Sequence, residues 1–257
     1  MKRTLTLMAV CTIFCSLTLV SLAQGPGGNR QRGQGGQSGP GNFAGQQGPV
    51  KAEGAIDLLS SKNLDDWDFF LNDGAKKEDI WSFTEEGTLY CKGVPMGYLC
   101  TKKDYRDFKL TLQWRWPEGV EPTNSGILMR INGQPKALPR CVEAQLAFGN
   151  AGDIWTFHNM ELEGHDKARF THNKPGGNLT GEARGIKKLV NAERQAGRWN
   201  TYEILCQDET LVISVNGTIV NWTKDLEDIA GKIGFQSEGG PIEFRNAVLT
   251  PLNRTDD

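Results

Sequence analysis

The sequence predicts an all-β fold built from two packed sheets. Twelve short segments alternate apolar and polar residues or carry β-branched and aromatic runs, and turn residues separate them. Helical periodicity is nearly absent, with short helices expected only within 181–195 and 226–230. Many short strands with this spacing are typical of a two-sheet sandwich. The predicted strands are 79–84, 87–92, 97–101, 107–116, 124–131, 140–147, 153–157, 198–206, 209–215, 218–222, 231–236 and 241–250.

The strongest local signal is a hairpin at Asn216 and Gly217, between the apolar runs 211–215 and 218–220. Asn-Gly is the pair that two-residue hairpin turns prefer, because both turn positions need positive φ. The segment 158–197 differs from the rest, since it is polar and rich in glycine. It is expected to be a long loop that is either functional or disordered, and it is well placed to form a rim over the polar sheet face.

The first 23 residues have the pattern of a secretory signal peptide. Lys2 and Arg3 precede an apolar stretch, and Ser21 and Ala23 flank Leu22 as a cleavage site. An uncleaved membrane anchor is the alternative. No other segment reaches about 18 apolar residues, so no membrane span is expected after cleavage. The expected location is therefore secreted or periplasmic.

Residues 24–50 are Gly/Gln-rich and have too few apolar groups to offset ordering, so they are expected to form a disordered linker. Residues 51–254 then form a single domain. Its sandwich would carry no strong charge, because the chain has 29 basic and 31 acidic residues. This balance indicates neither a nucleic-acid partner nor an anionic membrane surface.

Four cysteines remain after signal cleavage, and two interpretations are open for them. An even number in an oxidising compartment is compatible with two disulfides, for which three pairings exist. Cys91 and Cys100 flank a turn and could face each other across a hairpin, which would leave Cys141 with Cys206. The alternative is four buried free thiols.

Several predicted strands place polar residues opposite an apolar face. Glu143 and Gln145 oppose Val142 and Ala144, and Arg115 opposes the face that carries Leu110, Leu112 and Trp114. Such a polar face is either plain solvent exposure or a groove for a hydrogen-bonding ligand such as a sugar.

Taken together, these pieces resemble the 3-keto-disaccharide hydrolase domain family, formerly domain of unknown function 1080. The resemblance covers about residues 56–252. It rests on an ordered set of motifs: 58–67, 87–89, 98–108, 124–130, 142–145, 197–200, 215–217, 234–239 and 244–246.

The resemblance implies a concanavalin-like jelly roll that hydrolyses glycosides whose sugar carries a 3-ketone. A base would remove the C2 proton, the C1 substituent would leave, and water would add back. The candidate catalytic residues are Glu143, His158, Glu238 and Asp153. The candidate substrate-binding residues are Arg115, Asn124, Arg130, Gln145, Trp155 and Gln236.

Arg115 and Arg130 are the expected cations for the enolate, and Trp155 is expected to stack on a sugar ring. Glu143 could instead pair with one of these arginines as part of an ordinary polar face. The segment 143–148 lacks the second and third acids of a Glu-x-Asp-x-x-Glu strand, which argues against double displacement there. A pair from different strands, such as Glu143 with Glu238, stays open.

Two rival functions remain at this point. One is a noncatalytic carbohydrate-binding module of the same fold, and the other is a surface adhesion or scaffold domain that binds no sugar. No metal ligands can be assigned, although a divalent cation such as calcium would suit a jelly roll.

Overall fold

The computed structural model describes residues 54–174 and 177–253, which are almost entirely β. Helical structure among them is limited to α1 (Lys77–Ile80) and two 3-10 segments, Leu64–Asp66 and Asn72–Gly74. The strands are β1 (Ile56–Asp57), β2 (Trp67–Leu71), β3 (Trp81–Phe83), β4 (Leu89–Cys91), β5 (Gly97–Thr101), β6 (Phe108–Arg115), β7 (Gly126–Asn132), β8 (Arg140–Gln145), β9 (Ile154–Thr156), β10 (Phe170–Asn173), β11 (Ala183–Ile186), β12 (Asn200–Gln207), β13 (Thr210–Val215), β14 (Thr218–Thr223), β15 (Lys232–Ser237) and β16 (Ile242–Pro251).

The strands form two antiparallel sheets, which confirms the predicted jelly-roll sandwich. Sheet 1 has the order β14-β13-β12-β6-β16-β4-β3, and β1 pairs with β16. Sheet 2 has the order β10-β11-β9-β8-β7-β15-β5-β2. Strands that are distant in sequence lie side by side in both sheets, so the sandwich depends on long-range pairing.

The core lies between the two sheets and follows from strand alternation. In sheet 1, Trp114 and Phe244 point inward, and in sheet 2, Val142 and Phe235 do the same. The rings of Phe235 and Phe244 meet across the sandwich with centroids 4.8 Å apart. Because these inward residues are fixed, their polar neighbours along each strand must point outward.

All twelve predicted strands are present, with ends shifted by a few residues. The Asn216-Gly217 hairpin is also confirmed, with φ of 51° and 81° at the two turn residues. The expected loop 158–197 is wrong in part, because β10 and β11 form a hairpin within it. The expected helices within 181–195 and 226–230 are wrong too. Residues 183–186 pair on both sides as a strand, and Leu226 forms a β-bridge with Leu162.

The expectation of one continuous polar face needs correction, because its residues belong to two sheets. Arg115 and Glu243 lie on the outer face of sheet 1, on β6 and β16. Glu143, Gln145 and Gln236 lie on the outer face of sheet 2, on β8 and β15. The sandwich core separates these two surfaces.

The disulfide pairing suggested for Cys91 and Cys100 is wrong. Cys91 lies on β4 in sheet 1, and Cys100 lies on β5 in sheet 2, so they are not partners across one hairpin. All four cysteines in the described part of the chain are free and buried. Burial raises the pKa of the Cys91, Cys100 and Cys206 thiols to about 12.

The predicted signal peptide (1–23) and linker (24–50) lie outside the described residues. Within 54–174 and 177–253, no helix has the length and apolar character needed to cross a bilayer.

We expect the four thiols to be countable in the chain that begins at Gln24. Without reductant, the denatured protein should react with four equivalents of a thiol reagent, and the native protein should react slowly because its thiols are buried and protonated. The melting temperature should not change on adding dithiothreitol. A count of zero or two would show that disulfides form.

Candidate active site

A pocket of about 290 Å³ opens on the outer face of sheet 2, and we call it the outer pocket. This volume is near the lower end of small-molecule sites, which span about 300–1,000 Å³. Strands β8, β9, β10, β11 and β15 contribute to it, together with the segments next to them. Its lining residues are Met96, Asn124, Leu138, Glu143, Gln145, Trp155, Phe157, Asn173, Leu179, Thr180, Ala183, Gln236 and Glu238.

Glu143 lies at the floor of the outer pocket, in the middle of the sheet. Its side chain crosses onto β7, where Gly126 leaves room for it, since a Cβ at Gly126 would overlap the Glu143 carboxyl oxygen Oε1. Gly126 has no positive φ, so the glycine is needed for space and not for backbone conformation. Glu143 is only 2% exposed, and its Oε1 has no hydrogen-bond partner.

Glu238 lies just after β15 and shares the outer pocket with Glu143. A β-bridge joins its backbone to Asn124, and the Asn124 side chain forms a hydrogen bond with its carboxyl group. Burial raises the pKa of Glu238, and the bond from Asn124 partly offsets that rise.

The two carboxyl groups act on each other. Burial raises the pKa of Glu143 well above its ordinary value, and the nearby Glu238 raises it further. Two carboxyls in one poorly solvated site do not both ionise readily, so the pair tends to hold one proton. This state suits one group to accept a proton and the other to donate one.

Other polar atoms also face the pocket without partners. The Oδ1 atom of Asn124 and the Oε1 atom of Gln236 are buried and make no hydrogen bond. Gln236 is 1% exposed and sits on β15, beside β7. Buried polar atoms are nearly always paired in folded proteins, so an unpaired group of this kind indicates a ligand site.

Trp155 forms the side of the pocket on β9, next to Glu143 in register. Its ring lies over Gly185 of β11, where a Cβ would come within 2.6 Å of the ring. The Lys187 ammonium is 5.2 Å from a ring centroid of Trp155. The half-buried ring is therefore held flat on the sheet, an arrangement suited to contact with a sugar.

The chain matches the family model of the 3-keto-α-glucoside-1,2-lyase-like domain over residues 54–250. The chain belongs to this family. The match covers both sheets and every residue of the outer pocket, so the family assignment applies to the whole sandwich. No curated protein matches the chain.

Solved structures of similar proteins share the fold of this family member. Two crystal structures from Parabacteroides distasonis ATCC 8503, both provisionally assigned as glycosyl hydrolases, are 22% and 21% identical to the chain. Their TM-scores are 0.54 and 0.55; they cover 77% and 79% of this chain, and 99% and 96% of theirs. The carbohydrate-binding module CBM66 from Bacillus subtilis is 11% identical, with a TM-score of 0.50, and covers 72% of this chain and 95% of its own.

The outer pocket brings together six of the ten residues expected at the site: Asn124, Glu143, Gln145, Trp155, Gln236 and Glu238. Their strands are distant in sequence, so the sheet register alone assembles them. This family member also uses apolar residues in the pocket wall that sequence reasoning missed, among them Leu138 and Phe157. They belong to a small apolar cluster on the outer face of sheet 2. A sandwich predicted from strand alternation has its core between the sheets, so its outer faces are expected to be exposed to solvent.

The two arginines expected to stabilise an enolate lie outside the outer pocket. Arg115 is on the outer face of sheet 1, where it pairs with Glu243 and stacks on Trp199. Arg130 is fully buried, and its guanidinium donates to the backbone carbonyls of Glu227, Arg106 and Asp208. Arg130 is therefore structural, and Glu143 pairs with neither arginine.

Asp153 and His158 also lie outside the pocket lining. Asp153 is 1% exposed and is held by the Lys187 ammonium at 2.9 Å and the Lys188 backbone N–H at 2.8 Å. His158 has its Nε2 2.9 Å from the Leu138 carbonyl, and burial lowers its pKa. Asp153 therefore joins the start of β9 to the segment after β11, and His158 joins the segment after β9 to Leu138 in the pocket wall.

The donor atoms do not form a dedicated metal cage. Calcium takes about six to eight oxygen ligands, most of them carboxylates and carbonyls. Across the described ranges, no group of three or more His, Cys, Asp or Glu side chains could hold a metal ion. A divalent cation such as calcium therefore stays a prediction, and we derive no step through a metal.

We expect Glu143→Gln to stabilise the protein increasingly as pH rises. The folded-state pKa of Glu143 is raised, so its contribution to stability is present at acidic pH and is lost as pH rises from about 4.3 through the folded value. The stability advantage of the variant should grow by up to about 1.4 kcal/mol per pH unit in that window. Urea unfolding at several pH values measures it, with surface Glu85→Gln as control. A difference independent of pH would contradict the raised pKa.

Gly126→Ala should destabilise the fold by about 1–3 kcal/mol, because the new methyl group overlaps the Glu143 carboxyl. Gly177→Ala is the matched control, since nothing lies within 4 Å of a Cβ there. In a Glu143→Ala background the cost of Gly126→Ala should shrink, because the clash is gone. Equal costs in both backgrounds, measured by urea unfolding, would show that the two residues are not coupled.

Proposed function

We propose that the protein cleaves 3-keto-glycosides by proton abstraction, elimination and hydration. The observation that carries this proposal is the pair of buried carboxyl groups, Glu143 and Glu238, with raised pKa values in one pocket. Membership of the 3-keto-α-glucoside-1,2-lyase-like family supports it, because a 1,2-lyase breaks the C1–O bond after removing hydrogen from C2.

Glu143 is the base in this proposal. A ketone at C3 acidifies the C2 hydrogen, and a carboxylate takes that hydrogen as a proton. Burial disfavours the charged form of Glu143, so accepting a proton relieves a buried, unpaired charge and makes this carboxylate a stronger base. The C2–H electron pair then forms an enolate with the carbonyl.

Glu238 is the acid. Its carboxyl group is less buried than that of Glu143, and the bond from Asn124 lowers its pKa relative to burial alone. The reactive form of the pair is the less populated one, in which the shared proton has moved from Glu143 to Glu238 and the ionised Glu143 faces C2. As the enolate collapses to a C1=C2 double bond, the C1–O bond breaks and the leaving oxygen takes the proton from Glu238.

Hydration reverses the roles and restores both groups. Glu238, now a carboxylate, takes a proton from water as the water oxygen attacks C1 of the enone. The electrons pass to the carbonyl as an enolate, and Glu143 returns its proton to C2. The sum of both steps is hydrolysis of the glycoside, and each carboxyl ends in its starting state.

We further propose that the reaction takes place outside the cytoplasm. Residues 1–23 have the composition of a secretory signal peptide, and the near-neutral surface charge suits a soluble carbohydrate ligand.

Carbohydrate binding without catalysis is the second candidate function. Its supporting observation is the ring of Trp155, which is held flat over Gly185 and forms the pocket side together with Phe157 and Leu138. Aromatic and apolar walls with a few polar groups are sufficient for binding a sugar. In that case the carboxyl groups serve as acceptors for hydroxyl groups only.

The experiment is turnover of a panel of 3-keto-glucosides by residues 24–257, wild type against Glu143→Gln. Removing the base should lower kcat by about 10²–10⁴-fold, since general bases contribute that much, and should leave substrate affinity nearly unchanged. Glu85→Gln is the surface control, and turnover with and without EDTA tests for a bound divalent cation. Stabilisation by the sugars with no turnover by wild type would favour the binding function.

A further inference from the structure

The elimination puts negative charge on the oxygen at C3, and none of the described residues that line the outer pocket has a basic side chain to neutralise it. Arg115 and Arg130 are elsewhere, and the described residues that line the pocket include no Arg, Lys or His. Among the described lining residues, the groups that can stabilise the charge on the oxygen are N–H and O–H donors. Pre-oriented donors of this kind are often the largest single contribution to catalysis.

The side-chain amide of Gln145 is held so that its NH₂ group, and not its oxygen, is free to donate a hydrogen bond. Its Oε1 accepts the backbone N–H groups of Leu146 at 2.9 Å and Ala147 at 2.8 Å. Backbone N–H groups can only donate, so the oxygen end of this amide must face them. The other end is the NH₂ group, which is left to donate.

The backbone of Gln145 is also held firmly. Its N–H donates to the Asp153 carbonyl at 3.0 Å, and its carbonyl accepts the Tyr202 hydroxyl at 2.5 Å. Tyr202 is fully buried and belongs to sheet 1, so this bond ties the end of β8 to the opposite sheet. A donor on this support needs little reorganisation during the reaction.

The other polar groups suit different parts of the substrate. The unpartnered atoms of Glu143, Asn124 and Gln236 are oxygens and therefore accept hydrogen bonds from hydroxyl groups. A ketone oxygen only accepts, so the Asn124 and Gln236 oxygens and the ionised form of Glu143 repel it, whereas the Gln145 NH₂ group attracts it.

The register places these groups in a useful order. Gly126 pairs with Gln145 on β8, and the Glu143 carboxyl occupies the space above Gly126. The backbone of Glu238 is bridged to Asn124, which lies two residues before Gly126. The arrangement that we infer from this register has Gln145 facing C3, Glu143 facing C2 and Glu238 facing C1 of the sugar ring.

We propose that the Gln145 carboxamide NH₂ binds the 3-keto oxygen and stabilises the enolate, an inference that rests on the proposed function. Gln145 is thus a catalytic residue, because it touches the atom on which charge develops. It also sets specificity, since a substrate with a hydroxyl group at C3 has no carbonyl to activate.

The test is Gln145→Glu. The carboxylate keeps both acceptor roles toward Leu146 and Ala147 but has no hydrogen to donate at neutral pH. We expect kcat on a 3-keto-glucoside to fall by about 10²–10³-fold, the usual cost of one oxyanion donor, with KM little changed. The ratio of variant to wild-type activity should rise as pH falls, because the protonated carboxyl regains a donor. Gln207→Glu on the surface of β12 is the matched control.

A second measurement does not depend on turnover by the variant. In a Glu143→Gln background, a bound substrate labelled with ¹³C at C3 should show a downfield carbonyl shift, and adding Gln145→Glu should abolish that shift. A normal kcat for Gln145→Glu at neutral pH, or an unchanged carbonyl shift, would overturn the role of Gln145. Failure of the wild type to exchange the C2 hydrogen in D₂O or to cleave the substrate would instead overturn the proposed function, and this inference with it.

Discussion

The alternation of side chains along the central strands of sheet 2 couples the core to the pocket. Each inward residue, such as Val142 on β8 or Phe235 on β15, is locked between two sheets. Its neighbour, Glu143 or Gln236, must then point to the outer face. A slip of one residue in either strand would bury the polar groups among the core residues and expose the apolar ones. The same packing that stabilises the sandwich therefore aims the polar groups of the pocket.

The outer faces of both sheets carry polar side chains, but these side chains have hydrogen-bond partners on sheet 1 and lack them in the outer pocket of sheet 2. On sheet 1, the charged and polar residues satisfy one another: Arg115 pairs with Glu243, and Arg245 donates to Gln113 at 2.8 Å. On sheet 2, Glu143 and Gln236 are more deeply buried and remain unpartnered. Burial and the lack of hydrogen-bond partners for these side-chain oxygens distinguish the face of sheet 2 from that of sheet 1.

This difference explains how far sequence reasoning could go. Strand periodicity predicted the sandwich and the outward direction of Glu143, Gln145 and Gln236, because alternation is a local property. It could not predict which sheet a strand joins, and for that reason Arg115 was grouped with Glu143. Arg130 was misassigned because its strand has an irregular register near residue 130, which turns the guanidinium toward backbone carbonyls. The hairpin of β10 and β11 was missed because its strands are short, polar and interrupted by glycine.

The pairing of β1 with β16 has a consequence for the path of the chain. Ile56 lies opposite Leu249, so the first and last strands of the sandwich are neighbours within sheet 1. The outer pocket is on the other sheet, away from this seam. A short peptide could join the two ends into a closed ring, and new ends could be opened after the exposed Gly217 in the turn between β13 and β14. Such a circular permutant would keep every strand pairing around the pocket. The function of the pocket therefore depends on how the strands pair and not on the order in which they are synthesised.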